Sequence, residues 1–135
     1  MTPRQAKTIL YLAAIYNISG GLGIIFFLEL LAPLVGLTPG GPLLFRLFVG
    51  GTAITFGLAY AYCARSAPPQ TALLAFGTGL KYWAFTAALL AYLLHDLSLT
   101  MLLIFGVANL IFALLFTAIL RTSTPSSPTP RRPPQ

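Results

Sequence analysis

The sequence predicts an all-α protein, an antiparallel bundle of four transmembrane helices with both chain termini in the cytoplasm. Three observations carry this prediction: the composition, the length of the apolar runs and the distribution of Lys and Arg. Of the 135 residues, 57% are hydrophobic and only 7% are charged, and the mean hydropathy is +0.85. Because a soluble domain has about a quarter charged residues, the composition excludes a soluble enzyme, a secreted disulfide-rich mini-protein and a free nucleic-acid-binding domain.

Four apolar runs are long enough to cross a bilayer: residues 9–31, 44–64, 72–94 and 98–120. A spanning helix needs about 20 apolar residues, and helices are required because hydrocarbon offers the backbone no hydrogen-bond partners. The connections are short or rich in Pro and Gly, which favours antiparallel packing of sequential helices. The segment 122–135 contains Ser, Thr, Pro and Arg but no large apolar residue, and we predict a disordered cytoplasmic tail there.

The shortest of these connections is the turn at His95 and Asp96, between the third and fourth runs. His95 suits the negative end of the third helix dipole. Asp96 or Ser98 can cap the first turn of the fourth helix, because both side chains accept hydrogen bonds from backbone N–H groups. The sequence therefore predicts a tight helical hairpin at this point.

The positions of the cations predict how the bundle is oriented. Six of them fall on one side of the predicted membrane: Arg4, Lys7, Arg65, Arg121, Arg131 and Arg132. Arg46 alone falls on the other side. Loops rich in Lys and Arg remain in the cytoplasm, so we expect an integral membrane protein with its N- and C-termini inside.

Lys81 is a cation deep within an apolar run, about 15 Å from the start of the third helix. Small residues share its helical face and bulky residues the opposite face, so it is predicted to point into the bundle. The chain's two acids, Glu29 and Asp96, are too far away in depth to pair with it. One polar residue on each other helix lies at its level: Asn17, Thr55 and Asn109. We therefore predict that these four residues bind or pass a small polar or anionic species at mid-membrane.

Two other interpretations of Lys81 remain open at this point. In the first, the Asn and Thr side chains are structural hydrogen-bond partners between helices, and Lys81 only bonds to them. In the second, the Lys81 side chain extends toward anionic lipid headgroups at the membrane surface. The bulky outer faces also allow an accessory subunit that packs within a larger membrane complex.

Other polar and aromatic residues fall near the predicted membrane interfaces. Glu29 and Arg46 flank the outer connection, where they are expected to form an ion pair; the alternative is the mouth of a pathway leading to the site. Tyr60 and Tyr62 fall near the inner edge and fit an interfacial aromatic belt.

The sequence contains no recognisable catalytic or metal-binding constellation. It has no accessible pair of carboxylates, no HExxH motif and no Ser–His–Asp set with a plausible buried base. Cys63 is the only cysteine and His95 the only histidine, which excludes an intrachain disulfide and a Cys/His metal cluster. We therefore predict a protein that is not an enzyme and has no cofactor.

With four spans drawn, the chain resembles small bacterial four-helix membrane proteins of the DoxX-like kind. The resemblance covers most of residues 9–120 and implies a location in the bacterial inner membrane. It lies in the Gly-rich segment 17–23, the sequence at 46–51, the segment 79–81 and the polar Asn109. Some proteins of this kind accompany quinone-linked oxidoreductases, which implies an accessory role in a redox complex as an alternative function.

Small residues four positions apart also bear on assembly. Gly51 and Thr55 have this spacing, as do Ala75 and Gly79. Such pairs allow transmembrane helices to approach closely, so a homo-oligomer is a further expectation.

Overall fold

The computed structural model describes residues 1–37, 42–66 and 70–123, and the regular secondary structure in these ranges is helical. Three of the four long helices are α1 (Pro3–Phe26), α3 (Leu43–Arg65) and α4 (Thr71–Leu93). The fourth is continuous and consists of α5 (Leu99–Met101), a π-helical segment (Leu102–Val107) and α6 (Ala108–Ser123). All four are long and apolar enough to cross a membrane, with mean hydropathies between 1.3 and 2.5. The all-helical class and the four apolar helices are confirmed.

The first helix differs most from its prediction of 9–31. It begins at Pro3 because Thr2 and Gln5 form a capping box: Gln5 N–H donates to Thr2 Oγ1 (3.2 Å) and Thr2 N–H to Gln5 Oε1 (2.8 Å). It ends at Phe26, since Phe27 leaves the helical region at φ −123° and ψ 13°. The chain continues as α2 (Leu28–Leu31) and a 3₁₀ turn (Pro33–Val35). The helix therefore does not coincide with the apolar run, because hydropathy does not register these local capping and backbone features.

The last helix also extends beyond its prediction. Ser98 caps it, with Met101 N–H donating to Ser98 Oγ (3.1 Å). At the other end α6 continues through Ser123, so the first two residues of the predicted tail are helical. The remainder of that tail, 124–135, lies outside the described residues.

The long helices associate as two pairs. The first pair is α1 with α3, the second is α4 with the fourth helix, and contacts between the pairs are sparser. The backbones of the first pair touch. A Cβ atom added at Gly21 would lie 2.5 Å from the Gly50 carbonyl oxygen, and one added at Gly57 would lie 2.9 Å from the Ala14 carbonyl oxygen. Glycine is therefore required at this crossing.

The hydrophobic core joins the two pairs at one end of the molecule. It draws on the early turns of α1 and α4 and the late turns of α3 and α6. Its buried members are Leu10, Ala13, Ala14, Tyr60, Cys63, Ala64, Leu74, Phe116 and Ile119. Along the helix axes, this core lies on one side of Lys81.

The connection after α4 ends the helix with a left-handed residue. His95 has φ 64°, and its N–H donates to the Tyr92 carbonyl (3.0 Å) while Asp96 N–H donates to the Ala91 carbonyl (2.9 Å). These two bonds form a Schellman motif. The left-handed residue of such a motif, here His95, is normally Gly. At the other connection, Gly36 has φ 72°. Ser98 Oγ donates to the neighbouring Val35 carbonyl, which ties the connection after α2 to the start of the fourth helix.

Substitutions at these two left-handed positions are expected to have opposite effects. His95→Gly should raise the free energy of unfolding by up to about 1 kcal/mol, because Gly adopts this conformation without steric cost. Gly36→Ala should lower it by about 1–2 kcal/mol, since an added Cβ would also lie 2.9 Å from Ser98 Cβ. Thermal unfolding midpoints in detergent micelles would measure both. A fall in both midpoints would contradict the backbone conformation at His95.

Candidate functional site at Lys81

Lys81 lies inside the molecule, where its ammonium has neutral partners. The side chain comes from the middle of α4 and the residue is 3% exposed. Nζ donates to Asn17 Oδ1 (2.6 Å) and to Asn109 Oδ1 (2.8 Å). The structure thus brings together three of the four residues predicted for the site. These contacts exclude the alternative in which Lys81 extends to the membrane surface.

The charge of Lys81 has no counter-ion in the described part of the chain. Glu29 pairs with Arg46, with Arg46 Nη1 lying 2.9 Å from Glu29 Oε1. Asp96, the only other acid, follows the end of α4. The two amide oxygens use two of the three N–H donors of the ammonium. One N–H therefore has no oxygen acceptor among the described residues.

Three aromatic rings surround this ammonium. Nζ lies 5.2 Å from the centre of the Tyr16 ring, 5.5 Å from that of Phe112 and 5.6 Å from that of Tyr60. A cation within about 6 Å of a ring face is attracted by the ring quadrupole. The rings also pack on one another, with Tyr16 and Phe112 centroids 5.5 Å apart. They supply electrostatic compensation that an acid would otherwise provide.

The sequence did not predict these three rings as part of the site. Tyr60 was expected at the membrane interface, which is wrong: it is 1% exposed, and its ring contacts Phe116 edge-on at 4.9 Å. Helical side chains lean toward the N-terminus of their helix, so the Lys81 ammonium lies closer to the start of α4 than the Lys81 Cα does. This direction brings the ammonium near the Tyr60 ring. Phe112 was detectable in principle, because it follows Asn109 by three residues and so shares its helical face.

Asn109 is oriented by the π-helical segment. Its Nδ2 donates to the Phe105 carbonyl (2.7 Å), which directs Oδ1 toward Lys81. The adjacent Ile104 carbonyl accepts a hydrogen bond from the Tyr16 hydroxyl (3.0 Å). π-helical turns are rare and occur frequently at functional sites. In this chain the π-helical segment provides backbone acceptors for two side chains that contact the ammonium.

Asn17 differs from Asn109 in having a free donor. Its Oδ1 accepts from Lys81, and its Nδ2 donates no hydrogen bond within the described residues. Asn17 is also half-buried, whereas Lys81 and Asn109 are fully buried. A free amide N–H₂ beside an ammonium that has one unused N–H is a pair of donors with no acceptor. Such a pair suits a ligand that carries oxygen or negative charge.

Thr55 is not part of this cluster. It is exposed, and its Oγ1 donates to the Gly51 carbonyl of its own helix (2.9 Å). With Gly51 and Thr52 it lines an outward groove of about 350 Å³. The prediction that Thr55 faces Lys81 is wrong because equal depth does not fix the direction in which a helical residue points.

The outer ion pair lies apart from the ammonium. Glu29 belongs to α2 and Arg46 to the first turn of α3. The pair therefore links the segment after α1 to the next helix. The Arg46 Nε atom is buried and has no hydrogen-bond partner among the described residues. A role for the pair at the mouth of a pathway stays a prediction.

Comparisons with protein-family models, curated proteins and solved structures find no match for this chain. The assignment of a small integral membrane protein therefore rests on the four apolar helices.

Gly77, one turn before Lys81, is required by the Tyr60 ring. A Cβ added there would lie 2.6 Å from Tyr60 Cε1 and 3.0 Å from its hydroxyl. Gly77→Ala should lower the free energy of unfolding by about 1–2 kcal/mol, because the buried ring has to move. Unfolding in mixed detergent micelles would measure this change. Gly79→Ala is the matched control, since a Cβ at Gly79 meets no atom within 4 Å; equal losses would contradict the packing of Tyr60 on Gly77.

Proposed function

We propose that the protein binds a small anion, or a small molecule bearing a carbonyl group, at Lys81 in the middle of the membrane. The observation that carries the proposal is the buried ammonium without a counter-ion. Ionisable residues inside transmembrane helices are costly and usually mark functional sites. Here the cost is only partly offset by two amide oxygens and three aromatic rings. A bound anion would neutralise the remaining charge.

Asn17 has two roles in this proposal. In the empty site its Oδ1 accepts from Lys81. When a ligand is bound, Oδ1 keeps its bond to the ammonium and the free Nδ2 donates to the ligand. The remaining N–H of the ammonium donates to the ligand at the same time. Because Asn17 is half-buried and Lys81 is buried, the ligand reaches the ammonium past Asn17.

For the membrane arrangement we propose an antiparallel bundle with both termini in the cytoplasm. The core supports this arrangement because it combines the early turns of α1 and α4 with the late turns of α3 and α6. The excess of Lys and Arg at the same end supports the orientation. Fluorescent reporters that mature only in the cytoplasm, fused to either terminus, should both fluoresce. A dark reporter at either end would contradict the orientation.

Ligand-induced stabilisation tests the binding proposal. Purified protein in lipid nanodiscs is titrated at constant ionic strength with thiocyanate, acetate, butyrate and oleate. A ligand at 100 times its dissociation constant raises the free energy of unfolding by about 2.7 kcal/mol. At least one probe should stabilise the wild type and have a much smaller effect on Lys81→Met.

Lys7→Met is the matched control, because Lys7 is exposed and lies about 15 Å along α1 from Asn17. It removes the same charge and should leave the ligand effect unchanged. If no probe stabilises the wild type more than Lys81→Met, the binding proposal is wrong. In that case the amides and Lys81 serve only to hold the helices together.

A second candidate function is assembly within a homo-oligomer or a larger membrane complex. The outward groove on α3 favours it, because Thr52 and Thr55 expose hydroxyl-bearing side chains there. Small and hydroxyl residues promote contact between membrane helices. If this function holds, the protein should purify at a fixed stoichiometry that Gly51→Ile reduces. Leu90→Ile is the control, since Leu90 is exposed on α4 and lies outside the groove; if Gly51→Ile leaves the stoichiometry unchanged, the groove is not the interface.

A further inference from the structure

We infer that the ligand of the Lys81 site is a lipophilic monocarboxylate that enters from the hydrocarbon layer of the membrane. The inference rests on the proposed function and names the substrate class of that site. Three features carry it: the single positive charge, the apolar core at one side of the site, and open space beside Asn17.

The charge and the donors of the site match one carboxylate. Lys81 supplies a single positive charge and one N–H without an oxygen acceptor. Asn17 supplies the free amide Nδ2. A carboxylate carries one negative charge and two oxygens, so one oxygen can accept from the ammonium and the other from the amide. The bound pair is then neutral, as burial in a medium of low dielectric requires.

The core does not provide a path for a hydrated ion. In the core on one side of Lys81 the buried side chains are almost entirely apolar, and they include Leu10, Leu74, Phe116 and Ile119. Thr78 is the buried polar residue nearest to Lys81 in α4, and its hydroxyl already donates to the Leu74 carbonyl (2.7 Å). A hydrated anion crossing this core would lose its water without replacement. A ligand dissolved in the bilayer avoids that route.

The open space is at Gly20, one turn along α1 from Asn17. Residues three apart on a helix lie on neighbouring parts of one face. Gly20 is exposed, and a Cβ added there would meet no atom within 4 Å. The half-buried side of Asn17 therefore continues into a lipid-facing surface. The carboxylate binds at Lys81 and Asn17, and its hydrocarbon chain lies along Gly20.

A phospholipid is a poorer match for the same position. Its phosphate belongs to the headgroup layer, whereas Lys81 is about 15 Å along α4 from the nearer helix end. A single-chain carboxylate is free of that constraint because it has no glycerol phosphate headgroup that must remain in that layer. The site thus selects among bilayer components by depth as well as by charge.

The experiment compares oleate with oleyl alcohol and with butyrate, using nanodiscs of zwitterionic lipid. Oleate should stabilise the wild type, while the alcohol lacks the charge and butyrate lacks the chain. Affinity for oleate should fall at least about tenfold in Lys81→Met, which removes the charged hydrogen bond. Gly20→Phe should reduce it to a similar extent by filling the space beside Asn17. Gly79→Phe, on another open helix face, should bind oleate as the wild type does.

A photoactivatable fatty acid supplies an independent readout of position. Its cross-link should map by mass spectrometry to α1 near Gly20, and excess oleate should suppress the reaction. A cross-link spread over all lipid-facing helices would contradict the inference.

The outcomes separate the inference from the proposed function. If thiocyanate or butyrate stabilises the protein through Lys81 as well as oleate does, the function stands and the lipophilic ligand class is wrong. The same conclusion follows if Gly20→Phe binds oleate normally. Equal effects of oleate and oleyl alcohol would show that the site does not require a carboxylate, and the inference would be wrong. If no probe depends on Lys81, both the function and the inference fail.

Discussion

Asn109→Leu is expected to lower the free energy of unfolding by about 2–3 kcal/mol, because it removes a hydrogen bond to a buried charge. The ammonium of Lys81 would keep Asn17 as its only oxygen acceptor among the described residues. Removing the charge as well should reverse part of this loss. The double variant Lys81→Met/Asn109→Leu is therefore expected to be more stable than Asn109→Leu alone.

A double-mutant cycle measures this coupling. The wild type, both single variants and the double variant are unfolded in mixed micelles under identical conditions. Lys7→Met combined with Asn109→Leu is the control cycle, and its two effects should add, because Lys7 is exposed and distant in sequence. Additive effects of Lys81→Met and Asn109→Leu would mean that Asn109 does not hold the ammonium.

Gly21→Ala should also destabilise the protein by about 2–3 kcal/mol, near the upper end for an overpacked site. A Cβ at this position would lie 2.5 Å from the Gly50 carbonyl oxygen and 2.7 Å from Ile54 Cγ1. The backbone atom cannot rotate aside as a flexible side chain can. The two helices of the first pair would have to separate, and unfolding midpoints in micelles would report the loss.

The adjacent residue provides a control for this prediction. Gly20 has open space where a Cβ would be added, so Gly20→Ala should be neutral or slightly stabilising. The two variants have the same composition and differ only in which side of α1 carries the methyl group. Equal destabilisation would show that the effect comes from loss of glycine itself and not from contact with α3.

The sequence allowed much of the fold to be predicted, because membrane burial imposes long apolar runs. It also predicted that Lys81 faces inward at the level of Asn17 and Asn109, since small residues accompany these positions. Thr55 failed the same reasoning. Small residues occur on two sides of α3: Gly50 and Gly57 contact α1, whereas Gly51 lies in open space. Composition alone does not distinguish a face that contacts a neighbour from one that does not.

The π-helical segment had no comparable sequence signal. Its residues Leu102–Val107 form an ordinary apolar run with one glycine, which hydropathy does not distinguish from an α-helical run. The hydrogen bonds from Tyr16 and Asn109 to backbone carbonyls of this segment could therefore not be predicted from the sequence. Tyr60 was misjudged for another reason. Its depth was compared with that of the Lys81 Cα, whereas the long lysine side chain carries the ammonium to within 5.6 Å of the Tyr60 ring centre.

The division into two helix pairs makes the ligands of the ammonium unequal. Lys81 and Asn109 both belong to the second pair, whereas Asn17 belongs to the first. A small separation of the pairs would break the 2.6 Å contact with Asn17 and preserve the 2.8 Å contact with Asn109. Lys81 would then move with the second pair and would keep Asn109 as its acceptor. The boundary between the pairs is thus where the molecule can uncover its charge and keep one amide acceptor, with loss of the Tyr16–Ile104 hydrogen bond that also crosses this boundary.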